Sequence, residues 1–191
     1  MPDDEFGLRS AYQAAFRSGD LAAADHALAD PRFPTLGIGE SDTGSDFSSP
    51  AILRRAELAF LRGDRAAATR FADEAIAYFH RQVWTPRQKR GVALYVAEAQ
   101  AYAGRAELAL QGGRDAAAES TRADASNVGV NERVLARIYL ALNRRDEALD
   151  CLRRAMSVPG IQAHYIRWHP VYARLKDDPR FEEILKSAKV F

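Results

Sequence analysis

The sequence predicts an all-α fold, an array of about four antiparallel helical hairpins closed by a short C-terminal helical cap. Three stretches, residues 56–76, 97–117 and 136–156, superpose without a gap when they are aligned on a central turn residue. Alanines recur at the same distances on both sides of this turn, which lets the two helices of a pair approach each other closely. These alanines are Ala56, Ala97 and Ala136 before the turn, and Ala68, Ala109, Ala148, Ala75, Ala116 and Ala155 after it.

The turn residues are Gly63, Gly104 and Asn143, and a weaker fourth copy near the N-terminus places Gly19 at the same position. Successive turns are 44, 41 and 39 residues apart, whereas tetratricopeptide (TPR) repeats have a period of about 34 residues. The pattern therefore predicts a TPR-like superhelical array whose helices and connections are longer than those of a standard repeat.

Helix-start and helix-stop signals place the first elements. Pro31 should end the first hairpin by Asp30, because proline interrupts a helix. A loop rich in Gly, Ser and Asp is expected at 35–50, and the next helix should start near Pro50. The predicted hairpins cover about 8–30, 50–82, 87–122 and 131–157, and the cap covers 160–191, all within a single domain.

The later elements carry similar signals. A helix should start near Pro86, and Asn131 is expected to be the N-cap of the fourth hairpin. In the cap, Asp178 directly precedes Pro179, an order that is typical of a helix N-terminus.

A second internal match competes with this register in the third hairpin. Residues 56–68 also resemble residues 106–118, a match that would move the turn from Gly104 to the Gly112–Gly113 pair. We prefer Gly104, because a complete apolar helix at 92–103 then precedes the turn. The second glycine of the pair should then face a neighbouring helix closely, at a helix-propensity cost of about 1 kcal/mol.

Composition excludes several classes of function. The 27 basic and 26 acidic residues give a net charge of +1, which provides no reason to expect a nucleic-acid partner. No apolar run approaches the roughly 20 residues of a membrane span, and the acidic N-terminus is not a signal peptide. We therefore expect a cytoplasmic protein, or an extracytoplasmic one if the chain belongs to a membrane-anchored parent. The single Cys151 excludes an internal disulfide, and no metal or cofactor site is predicted.

The C-terminal half also resembles a bacterial family. The stretches GGRDAAAES, ARIYLALNRRDEALDCLRRAM, VPGIQ and HPVYARLKDDPRFEEIL follow one another, and the DPRF ending is their most specific part. This order resembles the C-terminal TPR region of bacterial multidomain signalling proteins, where it follows a winged-helix, adenylate cyclase or eukaryotic-like Ser/Thr kinase domain. The resemblance implies a regulatory or sensory part of a signalling or transcription-regulating protein. Two departures from the family pattern are His169, in place of an acidic residue, and Ala173–Arg174, in place of Asp-Pro.

In TPR arrays the first helix of each hairpin lines an inner face that binds a protein or peptide. Here that face combines aromatic side chains with charges of both signs, a combination typical of interface hot spots. TPR arrays that clamp acidic chaperone tails carry Asn where Glu57, Glu98 and Arg137 stand, which argues against that ligand. We therefore predict a non-catalytic protein–protein interaction module. The predicted partner-binding residues are Arg54, Glu57, Phe60, Tyr95, Glu98, Tyr102, Arg133 and Arg137.

Two alternatives stay open at this point. The first is a structural module that self-associates, for example as a homodimer stacked through its terminal hairpins. The second is a small hydrolase that uses His164 or His169, which lie near Tyr165 and Trp168. No carboxylate or third histidine is near these residues in the sequence, so Tyr165, Trp168 and Tyr172 are expected to cover the end of the array instead.

Overall fold

The computed structural model describes residues 5–30, 51–158 and 163–188, and every regular element within these ranges is helical. The all-α prediction is confirmed for this part of the chain. The loop predicted at 35–50 and the helix start predicted near Pro50 lie outside the described residues. The helices are α1 (Glu5–Ser18), α2 (Leu21–Ala29), α3 (Ala51–Leu61), α4 (Arg65–Arg81), α5 (Pro86–Tyr102), α6 (Ala106–Ala123), α7 (Val128–Ala141), α8 (Arg145–Met156), α9 (Ala163–Trp168) and α10 (Pro179–Lys186), with 3-10 helices at Ala125–Asn127 and Pro170–Leu175.

The four predicted turn residues all adopt the left-handed backbone conformation. Their φ angles are +80° at Gly19, +78° at Gly63, +76° at Gly104 and +61° at Asn143. After each of them, the next amide donates to the carbonyl five positions earlier, at distances of 2.8–3.0 Å. This is the hydrogen bonding of a Schellman motif, which ends one helix and allows the next to fold back.

The third hairpin therefore turns at Gly104, and the competing turn at Gly112–Gly113 is wrong, because both glycines lie inside α6. Gly113 is buried against α7, and a Cβ added there would lie 3.0 Å from Cδ1 of Ile138. The close helix approach expected at this position is confirmed. The recurring alanines have the same role, since none of the nine is more than 5% exposed.

Most of the predicted helix ends are confirmed, with one exception in the fourth hairpin. Its first helix begins at Val128, and Asn131 lies inside the helix instead of capping it. The Asn131 Nδ2 donates to the Ala117 carbonyl at 3.3 Å and to the Thr121 hydroxyl at 3.0 Å. The asparagine is therefore buried as a bridge to α6, and the preceding 3-10 helix is capped by Asp124.

The first helices of successive hairpins lie next to one another, because α5 packs against both α3 and α7. The 3-10 helix Pro170–Leu175 packs on α7, and α10 packs on α8. One hydrophobic core runs from α3 to α10, while the α1–α2 hairpin has a small core of its own around Leu58 of α3. Within the described ranges, no helix has the length and apolar character needed to cross a membrane.

Candidate functional site

The side chains predicted to bind a partner lie on one surface of α3, α5 and α7, here called the inner face. Seven of the eight are buried, and Arg133 is partly buried. Glu57 and Glu98 are 0% exposed, and Arg54 is 2% exposed. The structure therefore corrects the expectation of an open groove, because α1 and the C-terminal segment cover this face. The buried residues are Arg54, Glu57, Phe60, Tyr95, Glu98, Tyr102 and Arg137.

The repeat itself brings the charges of the inner face together. Glu57, Glu98 and Arg137 each stand six residues before the turn of their hairpin, so stacking of the hairpins makes them neighbours. Arg54 lies one helical turn before Glu57 on α3 and projects to the same side. Tyr102 lies one turn after Glu98 on α5. We call these five side chains, together with His169, the inner cluster.

Glu98 lies at the centre of the inner cluster. Its Oε1 accepts from Nε of Arg137 at 2.7 Å, and its Oε2 lies 3.3 Å from Nη2 of the same guanidinium. The Tyr102 hydroxyl donates to Glu98 Oε1 at 2.8 Å and lies 3.2 Å from Oε1 of Glu57. Arg54 donates to Glu57, and its Nη2 lies 4.0 Å from Oε2 of Glu98. The cluster thus joins α3, α5 and α7 through groups that water does not reach.

The charges in the inner cluster balance, with two guanidinium groups facing two carboxylates. Burial alone would raise the pKa of Glu98, but Arg137 and Arg54 outweigh it and lower this pKa below its usual value. Burial lowers the pKa of Arg54, yet Glu57 and Glu98 raise it above the usual value. Burial and the two carboxylates together raise the pKa of Tyr102 well above its usual range. The Glu98 carboxylate therefore remains charged, and the Tyr102 phenol remains protonated, at neutral pH.

His169 connects the C-terminal segment to the inner cluster. Its Nε2 lies 3.6 Å from Oε1 of Glu57, and its Nδ1 accepts from the Val171 amide at 3.4 Å. The edge of its ring meets Phe16 of α1, with 5.0 Å between ring centroids. Sequence reasoning missed the carboxylate partner, because Glu57 is distant in the chain. The sequence did contain a signal, because His169 replaces the acidic residue of the family pattern. An acidic side chain at this position would lie beside the carboxylate of Glu57 and be repelled by it.

The structure does not assemble the histidine and aromatic residues at 164–169 into one site. His164 is exposed while His169 is buried, and the side chain of Tyr165 lies outside the described residues. Trp168 is 58% exposed, so it does not cover the array as expected. Tyr172 is buried, as expected, and its hydroxyl donates to the Arg133 carbonyl at 3.2 Å.

Arg65 and Arg174 form a second group at the edge of the inner face, which we call the rim pair. Their Cζ atoms lie 5.0 Å and 4.8 Å from the centroid of the Phe60 ring. Burial, and then the charge of Arg65, lowers the pKa of Arg174. Nη1 of Arg174 lies 3.4 Å from the Leu140 carbonyl. Among the described residues, no carboxylate lies within ion-pair distance of either guanidinium.

Cys151 is buried in α8. Burial, with a further contribution from Glu132, raises the pKa of Cys151 to about 12, although Arg154 Nη2 lies 3.1 Å from its sulfur. At neutral pH it is a protonated thiol, which is a poor nucleophile and a poor metal ligand. Within the described ranges, no three His, Cys, Asp or Glu side chains are grouped as a metal site requires.

Comparisons with protein-family models, curated proteins and solved structures gave no match for this chain. The resemblance to the TPR regions of bacterial signalling proteins therefore stays a prediction from the motifs.

Proposed function

We propose that this chain is a non-catalytic protein-interaction module with a TPR-like architecture. The observation that carries the proposal is the common design of the four hairpins. Each turns at a left-handed residue with the same hydrogen bonding, and the recurring alanines are buried at shared positions. Stacked helical repeats of this design provide extended surfaces, which in repeat proteins bind other proteins.

The proposed setting is a regulatory or sensory part of a bacterial signalling or transcription-regulating protein. It derives from the sequence motifs, and the structure of the DPRF segment is compatible with it. Asp178 caps α10 by accepting from the Arg180 amide at 3.0 Å, and Phe181 is completely buried. The motif residues therefore close the end of the hairpin array, which is what a terminal repeat element must do.

Burial of the inner face changes where a partner is expected to bind. Tyr102 and Arg137, proposed from the sequence as exposed hot spots, are 1% exposed and held by Glu98. Their removal should destabilise the fold before it tests any interface. The partner surface is therefore assigned to the edge of this face and to the outer sides of the helices.

One observation favours the alternative of a hydrolase, namely the approach of His169 to Glu57. A histidine beside a carboxylate is the arrangement used for general acid–base catalysis. However, Glu57 also accepts from Arg54 and lies next to Tyr102, and all of these side chains are buried. A structural role accounts for each contact, so we keep interaction as the proposed function.

The test is capture of a partner from a bacterial lysate by the immobilised full chain, with quantification by mass spectrometry. A partner should bind the folded wild type and be lost after the immobilised chain has been heat-denatured. Purified partner and chain should then form a complex of defined stoichiometry by light scattering. A chain that enriches no protein and forms a stable homodimer would support the self-association alternative. Turnover of ester or amide substrates that His169→Gln abolishes would support the hydrolase.

A further inference from the structure

We propose that the rim pair, Arg65 and Arg174, is a binding site for a carboxylate, supplied by an acidic side chain of an extended segment of a protein partner. This inference rests on the proposed function, and it names the chemistry of the partner. Its starting point is that two cations share one aromatic ring, while the described part of the chain places no anion beside them.

The geometry brings the two cations close together from distant parts of the sequence. Both Cζ atoms lie within 5.0 Å of the same ring centroid, so they are no further apart than the sum of those two distances. Arg65 is the first residue of α4, and Arg174 lies in the 3-10 helix that packs on α7. Phe60 is 1% exposed and cannot move away, so its ring fixes where the guanidinium groups lie.

Other arginines at the hairpin turns are matched by carboxylates of the same chain. The rim pair differs from them, although it lies at the same end of the hairpins. The matched pairs are Arg62 with Asp25 at 3.0 Å, Arg105 with Asp73 at 2.6 Å and Arg145 with Asp177 at 2.7 Å. Asp64, next to Arg65 in the sequence, caps α4 by accepting from the Ala67 amide at 2.9 Å.

The electrostatics of the rim pair favour an added anion. Arg174 is exposed, but the protein around it removes part of its hydration and Arg65 adds a like charge, and both effects disfavour its charged form. An anion between the two guanidinium groups would remove this repulsion. Carboxylates fit because guanidinium groups present N–H donors in a planar fork that matches the two carboxylate oxygens.

The occupant is assigned to a protein partner because of what surrounds the site. The adjoining inner face is filled, so a ligand can reach the rim pair only from solvent. Both arginines are exposed. An acidic side chain on an extended peptide segment meets these conditions, because it can reach the arginines without entering the fold.

The experiment monitors the arginine Nε–Hε signals by NMR in the full chain labelled with ¹⁵N-arginine. The probe is the peptide acetyl-Leu-Glu-Glu-amide, and acetyl-Leu-Gln-Gln-amide is the uncharged match. We expect saturable shifts of Arg65 and Arg174 with the first peptide. Affinity for the second should be weaker by about tenfold, since each exposed ion pair contributes a modest free energy. The titrations use low salt, because screening weakens exposed pairs.

The variants are the double substitution Arg65→Gln with Arg174→Gln, and Arg153→Gln as the control. Arg153 is also an exposed arginine, but Asp150 already matches its charge at 2.6 Å. The double variant should lose the preference for the acidic peptide, and the control should keep it. Equal affinities for the two peptides, or equal shifts at Arg65, Arg174 and Arg153, would overturn the proposal. Tighter binding of a phosphoserine peptide by more than tenfold would overturn the assignment to a carboxylate.

The lysate capture separates this inference from the proposed function. If the wild type and the double variant capture the same partner equally well, the rim pair is not the site, although the interaction function stands. If the acidic peptide binds as expected but no partner is captured, the carboxylate site stands and the proposed function fails.

Discussion

Arg54 and Arg137 lie on the inner face beside the carboxylates of Glu57 and Glu98, whereas Arg65 and Arg174 lie at its edge and are matched by no carboxylate of the described residues. The first two are almost completely buried, and the other two are exposed. The two groups are connected through Phe60, because its ring packs on Tyr102 with 5.4 Å between centroids and also lies under the rim pair.

The difference follows from the cost of a charge in each place. An unpaired buried charge costs several kcal/mol, so the fold must supply a counter-charge for each arginine of the inner cluster. At the rim, the guanidinium groups stay hydrated and most of this cost does not arise, so the chain tolerates two unmatched cations. Buried charges therefore report on how the hairpins stack, while exposed ones are available to a ligand.

The largest effect is expected from Glu98→Ala, which removes the buried carboxylate that Arg137 contacts at 2.7 Å. The free energy of unfolding should fall by about 3–5 kcal/mol, the usual cost of breaking a buried pair from one side. Urea unfolding followed by circular dichroism measures it. The matched control is Glu182→Ala, which breaks an exposed pair with Arg167 whose two contacts are both 2.9 Å. That control should lose only about 0.2–1 kcal/mol. Similar losses for the two variants would mean that the inner cluster is open to water.

A smaller effect is expected from Tyr102→Phe, which removes one hydroxyl and leaves the ring packed on Phe60. The hydroxyl bonds to the buried carboxylate of Glu98, and a hydrogen bond to a charged group contributes about 1.5–3 kcal/mol. The free energy of unfolding should fall by that amount. Tyr139→Phe is the control, because Tyr139 is only partly buried and lies outside the inner cluster. A Tyr102→Phe protein as stable as the wild type would contradict the cluster geometry.

Lowering the pH should also reduce stability through Glu98. The pKa of Glu98 is lower in the folded chain than the ordinary glutamate value of about 4.3 in the unfolded chain. Its contribution to stability is therefore complete above that value and is lost as the pH falls towards the folded-state pKa. This group adds a slope of at most about 1.4 kcal/mol per pH unit. Carboxyl NMR of Glu98 should show a titration midpoint below the ordinary range, and a midpoint above it would contradict the ion pair with Arg137.

The smallest effect is expected at the rim. Arg174→Gln should change the free energy of unfolding by no more than about 0.5 kcal/mol, because the substitution removes one partly exposed cation and relieves its repulsion by Arg65. Thermal unfolding at low and at high salt measures the change and its electrostatic part. A loss above 2 kcal/mol, on the order expected for a core position, would place Arg174 in the fold and not at a ligand site.

The helix ends could be predicted because their signals are local. A glycine or asparagine at a turn, or an aspartate before a proline, acts on backbone groups only a few residues away. Asn131 shows the limit of such signals. An asparagine near the start of a helix can cap that helix, or it can be buried and hydrogen-bonded to a neighbouring helix. Only the position of α6 decides between the two, because the amide of Asn131 donates to Ala117 of that helix.

The inner cluster could be predicted only in part. The hairpin register correctly places Glu98 and Arg137 on one face, but the sequence predicts that this face binds a partner, whereas both side chains are buried. What the sequence lacks is the path of the C-terminal segment, which places His169 beside Glu57 and covers the face. Contacts between residues so far apart depend on the whole fold and leave no periodic pattern.

Because Cys151 is buried, the rate at which its thiol is alkylated reports how often α8 moves away from the rest of the fold. A thiol with a pKa near 12 and no exposed surface reacts with iodoacetamide only after α8 has moved away. Since Cys151 is the only cysteine of the chain, each alkylated molecule gains a single, countable mass increment. The labelling rate in native buffer, compared with that of the unfolded chain, then gives the free energy of opening around α8, without denaturant and without any substitution.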